Sequence, residues 1–155
     1  VLWSDGRFAR NLFTPAGGSD LPASRQTVEK DLHSTQMRIP GREIAEHAKE
    51  QMMNLTRQIL ERNSLRPADV NYFVPHQANL AILKDWSRQL GIPEYRITNT
   101  ISFTGNTVAA TIPIASDTLF RSGRLSPRDR IVMVAVGGGY SGGAILYEVP
   151  DEGFP

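Results

Sequence analysis

The amino-acid sequence predicts an α/β fold with a layered sheet. Two apolar runs, VNYFV at residues 70–74 and RIVMVAV at 130–136, have the length and β-branched content of buried strands. Two other stretches, 41–63 and 78–90, carry apolar residues spaced by three and four, the period of one helix face. Strand and helix signals alternate along the chain, the pattern of helices packed on a sheet.

Taken in order, the first 40 residues are the least regular. Val1-Leu2-Trp3 and Asn11-Leu12-Phe13 flank Asp5-Gly6, which reads as a turn between two short paired strands. Pro15-Ala16-Gly17-Gly18 marks a loop, and the polar residues 19–38 read as an irregular excursion of the same domain. From residue 41, Ile44, Ala48, Met52, Leu55 and Ile59 form one stripe of a long amphipathic helix that stops near Asn63 and Pro67. VNYFV is a buried strand ended by Pro75. Residues 78–90 form a helix with Leu80, Leu83, Trp86 and Leu90 on one face and Gly91 closing it. Residues 96–100 suggest a second short strand. Residues 107–122 suit a buried helix, with Pro113 either kinking it or marking where its regular part begins. RIVMVAV is the strongest strand signal, and a Gly137-Gly138-Gly139 turn leads to a last strand at 143–149. The domain body is thus residues 41–149, with 150–155 as a tail.

Composition narrows the function classes. Seventeen basic and sixteen acidic residues leave a formal net charge of +1, so no electrostatic case exists for nucleic acid or an anionic membrane surface. No apolar run approaches the roughly 18–20 residues that span a bilayer. VLWSDGRFAR lacks the basic start and apolar core of a signal peptide. The chain contains no cysteine, which excludes disulfides, thiolate metal sites and a cysteine nucleophile of its own, and accords with a cytoplasmic location. It begins with Val rather than Met, as a processed chain or one piece of a longer one would. His33 and His47 are isolated, and no spacing among histidines and carboxylates resembles a metal site.

Three features fall at the C-terminal ends of expected strands, where open α/β sheets place their sites. His76, in Pro75-His76-Gln77-Ala78-Asn79, either points a ring nitrogen into a crevice or is a satisfied corner histidine. Asn106 either presents its amide to a ligand or caps the helix that follows. Gly137-Gly138-Gly139 suits an oxyanion hole, a phosphate cradle or merely a tight hairpin.

Together, VPHQAN, the GNT that brings Asn106 thirty positions after His76, and the triple-glycine corner before a final strand resemble the type III ketoacyl-ACP synthases. These are decarboxylating condensing enzymes of the thiolase superfamily. The resemblance runs without a gap from about residue 70 to 149 and more weakly back to the SDG turn at Ser4 to Gly6. It implies the C-terminal half of a thiolase-like layered α-β-α fold. It also implies that His76 Nε2–H and the Asn106 amide hold a malonyl thioester carbonyl. The Gly138 backbone N–H would serve the acyl-thioester oxyanion, and Asn79, Phe103, Gly137 and Gly139 would line the substrate site. Acyl-CoA and a malonyl thioester are then substrates, and no cofactor is required.

Three departures from the family pattern stand out. The nucleophilic cysteine and the Gly-rich first strand of the C-terminal half are absent, so catalysis needs a Cys-bearing N-terminal half or partner chain. Ala81 occupies a position where the family commonly has a basic residue for docking acyl carrier protein; Lys84 and Arg88, further along the same helix, are the candidate substitutes. Gly142 stands where a bulkier residue is frequent, which would open the acyl or acceptor region. The resemblance implies a homodimer for the complete enzyme. The alternatives are an acyltransferase of the same fold that forms an ester or amide without decarboxylation, and a non-catalytic partner subunit.

Overall fold

The computed structural model describes residues 1–152. In chain order its elements are strand β1 (Leu2–Ser4), strand β2 (Leu12–Phe13), helix α1 (Arg25–Glu29), strand β3 (Gln36–Met37), helix α2 (Gly41–Arg62) and strand β4 (Tyr72–Pro75). Helix α3 (Leu80–Gln89), the single turn α4 (Ile101–Thr104), helix α5 (Thr111–Phe120) and strands β5 (Arg130–Gly137) and β6 (Ser141–Glu148) follow. The main sheet has the order β1-β6-β5-β4, with β4 and β5 parallel and the other pairs antiparallel.

Strand parity sorts the core into two layers, because successive strand side chains point to opposite faces. Val132, Val134 and Val136 of β5 join Phe73 of β4 and Ala144 of β6 against Met52, Leu55 and Ile59 of α2 and Leu83 and Trp86 of α3. Ile131 and Val74 face the other way, onto Ala115 and Leu119 of α5. Helices therefore cover both faces, in the α-β-α layering expected. Phe73 and Trp86, both fully buried, meet edge to face with ring centroids 5.9 Å apart. The cover is incomplete beyond α5: Leu2 of β1 is 91% exposed and Ile145 of β6 is 61% exposed.

Four local expectations change. The two N-terminal strands exist but do not pair with each other: β1 pairs with β6 (Leu2↔Gly143) and β2 with β3 (Leu12↔Met37). Asp5-Gly6 is no hairpin turn, because Asp5 accepts the Arg7 backbone N–H at 3.1 Å and caps a 3-10 turn, Gly6–Phe8. The polar excursion holds β3 and the short α1, which is started by a reciprocal Ser24–Thr27 capping box. Residues 96–100 contribute only a single bridge, Ile97 to Phe73, after a 3-10 turn at Glu94–Arg96.

Pro113 resolves in favour of the later start. A 3-10 turn, Val108–Ala110, precedes α5, and Pro113 falls in the first helical turn, where its missing N–H has no intrahelical partner to lose. Of the expected tail, Asp151 is anchored by an ion pair with Arg128 at 2.7 Å, and 153–155 lie outside the described residues.

Candidate active site

His76 stands at the corner between β4 and α3. Its backbone N–H donates to Val134 O at 2.8 Å, which extends the parallel pairing of β4 with β5 one residue past Pro75. The next residue, Gln77, is fully buried, a costly place for an amide unless every polar atom is paired. All four of its hydrogen bonds are made. Nε2 donates to Pro75 O at 2.8 Å and Thr98 O at 3.1 Å, while Oε1 accepts from the backbone N–H groups of Thr100 at 3.0 Å and Ile101 at 3.1 Å. Gln77 thus clips the His76 corner to the start of α4, the segment that leads to Asn106. Sequence reasoning gave Gln77 no role; its one signal was an amide directly after a buried strand.

The His76 ring is half-buried, and burial pushes its pKa below the ordinary imidazole value. Its Nδ1 lies 2.6 Å from Oγ1 of Thr111, a second residue that sequence reasoning passed over. The ring opens on a cavity of about 550 Å³ lined by Leu2, Val108, Ile112, Ala135 and Gly137 among others. Of the expected site residues, His76 and Gly137 line this cavity; Asn106, Asn79, Phe103, Gly138 and Gly139 do not.

Asn106 is exposed, and its Oδ1 accepts the Val108 backbone N–H at 2.9 Å. This local bond to the second residue on precedes the 3-10 turn Val108–Ala110, whose N-cap position is Thr107, and it leaves the Nδ2 amide protons as the free end. Asn79 repeats this arrangement at α3, where Oδ1 accepts the Ala81 N–H at 2.8 Å. Phe103 on α4 is 68% exposed. In the glycine corner, a Cβ on Gly138 would meet the carbonyl oxygen of Leu12 at 3.0 Å, so a side chain there would press on β2. Gly139 has φ +140°, which disfavours any other residue. The Gly138 N–H has no partner among the described residues.

The isolated histidines are structural. His33 Nε2 lies 2.9 Å from Thr27 Oγ1, and His47 packs between the rings of Phe8 and Tyr140. Among the described residues no cluster of three His, Asp or Glu could hold a metal ion, and no helix is long and apolar enough to cross a membrane.

Residues 60–149 match the family model for the 3-oxoacyl-[acyl-carrier-protein (ACP)] synthase III C terminal, a span that takes in His76, Asn106 and the glycine corner. The chain belongs to this family. It is 38% identical over 143 residues to the beta-ketoacyl-[acyl-carrier-protein] synthase III of Clostridioides difficile (strain 630), an alignment covering 92% of this chain and 43% of that one. Its fold matches the 3-oxoacyl-(acyl carrier protein) synthase III of Pseudomonas aeruginosa PAO1 with a TM-score of 0.84 at 32% identity, over 97% of this chain and 44% of that one. The priming beta-ketosynthase from the R1128 polyketide biosynthetic pathway is matched with a TM-score of 0.80 at 29% identity, over 97% and 44% of the two chains. The chain thus spans under half the length of the synthase III proteins it matches.

The structure distinguishes between the two candidate docking cations on α3. Arg88 is ion-paired with Asp85, whose carboxyl is held at about 2 by Lys49 first and Arg88 second. Lys84 is exposed, and its ammonium has no ion-pair partner among the described residues. Gly142 lines the same cavity as His76, with no room for a side chain. A Cβ there would meet Ala135 O and a Leu55 methyl, each at 2.8 Å, because this face of β6 is packed under α2.

Proposed function

We propose that this chain carries the His/Asn portion of the active site of a ketoacyl-ACP synthase III-like acyltransferase. The complete enzyme performs decarboxylative Claisen condensation of an acyl thioester with a malonyl thioester, in fatty acid or polyketide-type biosynthesis. The observation that supports this is how the polar groups are tied. Asn106 Oδ1 is occupied by Val108 N–H and His76 Nδ1 by Thr111, so the ends left to a substrate are the Asn106 Nδ2 amide and His76 Nε2. The unpartnered Gly138 N–H adds a third donor at the end of β5.

In this reading a cysteine of the N-terminal half, on the same or a partner chain, takes the acyl group and releases the carrier thiol. The malonyl thioester binds with its carbonyl oxygen toward His76 and Asn106. The bond between the carboxylate carbon and Cα breaks, CO₂ leaves, and the electron pair moves onto the thioester oxygen as an enolate. Preorganised donors favour this step because the charge appears where they already point. The enolate carbon then attacks the acyl carbonyl, Gly138 N–H holds the tetrahedral oxyanion, and the cysteine thiolate departs. This chain alone, lacking cysteine, does not form the acyl-enzyme.

The same reading assigns the partners. The Cys-bearing half covers the apolar face left open around Leu2 and Ile145. Lys84 meets an acidic carrier protein, the complete enzyme is a cytoplasmic homodimer, and the substrates need no bound cofactor.

The test uses the enzyme assembled with its Cys-bearing half. His76→Ala and Asn106→Ala should leave cysteine acylation intact by mass spectrometry while lowering CO₂ release from a malonyl thioester by about 10²- to 10³-fold each. Normal CO₂ release from the His76→Ala enzyme would overturn the assignment. An ester or amide product without CO₂ would move the enzyme to the non-decarboxylating class.

A further inference from the structure

Thr111 is the first residue of α5 and is only 1% exposed. Its Oγ1 lies 2.6 Å from His76 Nδ1 and 3.0 Å from the carbonyl oxygen of Val108. A hydroxyl has one proton, so it can donate to only one of these two atoms at a time. The Val108 carbonyl does not depend on it, because that oxygen also accepts the Thr111 backbone N–H. His76 Nδ1 has no other partner among the described residues.

The direction of that proton decides what the cleft receives. A neutral imidazole carries a single N–H, and the bond made at one nitrogen dictates the state of the other. With the hydroxyl donating to Nδ1, the ring proton resides on Nε2. With the hydroxyl donating to Val108, the ring proton resides on Nδ1 and Nε2 turns a lone pair toward the site. The hydroxyl proton is available for the first arrangement, because the Val108 carbonyl is already served by the Thr111 backbone N–H. At 2.6 Å the hydroxyl oxygen and the ring nitrogen are within hydrogen-bond reach of each other.

We infer that Thr111 is a positioning residue, whose hydroxyl donates to Nδ1 and fixes His76 as the Nε2–H tautomer. This rests on the reading of His76 as a donor to the thioester carbonyl, since only that tautomer of the neutral ring can donate there. The placement follows from the fold. The 3-10 turn before α5 turns the Thr111 side chain back toward the residue three positions earlier, and α5 lies on the same face of the sheet as Val74 of β4. The hydroxyl is thereby held at one distance from the corner ring.

The decisive measurement is the two-bond ¹H–¹⁵N spectrum of the ¹⁵N-histidine-labelled enzyme, assembled with its Cys-bearing half, with His76→Ala used for assignment. The expected result is a neutral His76 protonated at Nε2, with a hydrogen-bonded bare Nδ1. Thr111→Val should displace the Nδ1 resonance and lower the decarboxylation rate about tenfold at unchanged KM, as loss of one hydrogen bond predicts. Thr111→Ser should restore both. A wild-type spectrum protonated at Nδ1 overturns the inference and needs no variant to fold. So does a Thr111→Val enzyme with unchanged spectrum and rate. Failure here is separable from failure of the functional reading: if Thr111→Val is silent while His76→Ala abolishes CO₂ release, only the role of Thr111 falls. If His76→Ala releases CO₂ normally, the donor role falls while the spectrum still reports the tautomer.

Discussion

The His76 corner and the Asn106 loop are proposed to serve one substrate oxygen, yet they are held by different kinds of contact. His76 is fixed through Val134, through Thr111, and through the Gln77 clip to Thr98, Thr100 and Ile101, all distant in sequence. Asn106 is exposed and its side chain is fixed by one bond to a neighbour two residues on. The comparison teaches that the two donors differ in how they are preorganised. The His76 donor is built by tertiary structure and should fail when that structure is loosened. The Asn106 donor is built by local chain geometry and should be lost almost alone.

The largest expected effect comes from cutting the clip. Gln77→Leu would leave two N–H groups, one buried and one part-buried, and two buried carbonyl oxygens with their Gln77 partner removed. We expect a loss of about 3 kcal/mol or more in urea unfolding of the assembled enzyme, judged by the usual cost of unsatisfied buried groups. A loss below about 1 kcal/mol would mean that the corner does not depend on Gln77, and the contrast between the two regions would disappear.

A second effect sharpens the comparison through pH. The folded-state pKa of His76 is lowered by burial, so the unfolded chain, with an ordinary value near 6.5, binds the proton more readily. Stability is therefore complete above about pH 6.5 and falls as the pH is lowered from there toward the folded value. The paired carboxylates of Asp69 and Asp85, each held at about 2, act in a separate window. Their contribution is present above about pH 4 and is lost only as the pH falls toward 2. Unfolding curves between pH 7.5 and 5 should thus show a His76-dependent decline that is absent from a His76→Asn enzyme; identical slopes would contradict it.

The smallest effect is on the Asn106 side. Asn106→Ala removes one exposed side-chain-to-backbone bond ahead of a 3-10 turn and should cost less than about 1 kcal/mol of unfolding free energy, whatever it does to turnover. A loss comparable to that of Gln77→Leu would show the loop to be part of the cooperative core.

Much of this molecule was legible before its structure. The stripe of Met52, Leu55 and Ile59 announced α2, and the apolar run RIVMVAV announced β5. That the Asn106 side chain bonds its own backbone was legible because the bond is local: Asn just ahead of a helical segment uses only its own chain. Asp5-Gly6 misled because the dipeptide suits both a hairpin and a capped turn, and only the presence of β6 and β3 as partners decides between them.

Local chain chemistry was enough to mark the long helices and the main strands, the lack of a cysteine nucleophile, and the places of His76 and the three glycines at strand ends. These follow from periodicity, residue chemistry and turn geometry, which act over a few residues. Tertiary structure alone decided that β1 pairs with β6 and that Gln77 joins two loops. It also set Thr111 against the imidazole. Each of these depends on groups far apart in the chain whose meeting is set by packing. A one-dimensional pattern records that a residue can make such a contact, and only the folded core determines which partner it finds.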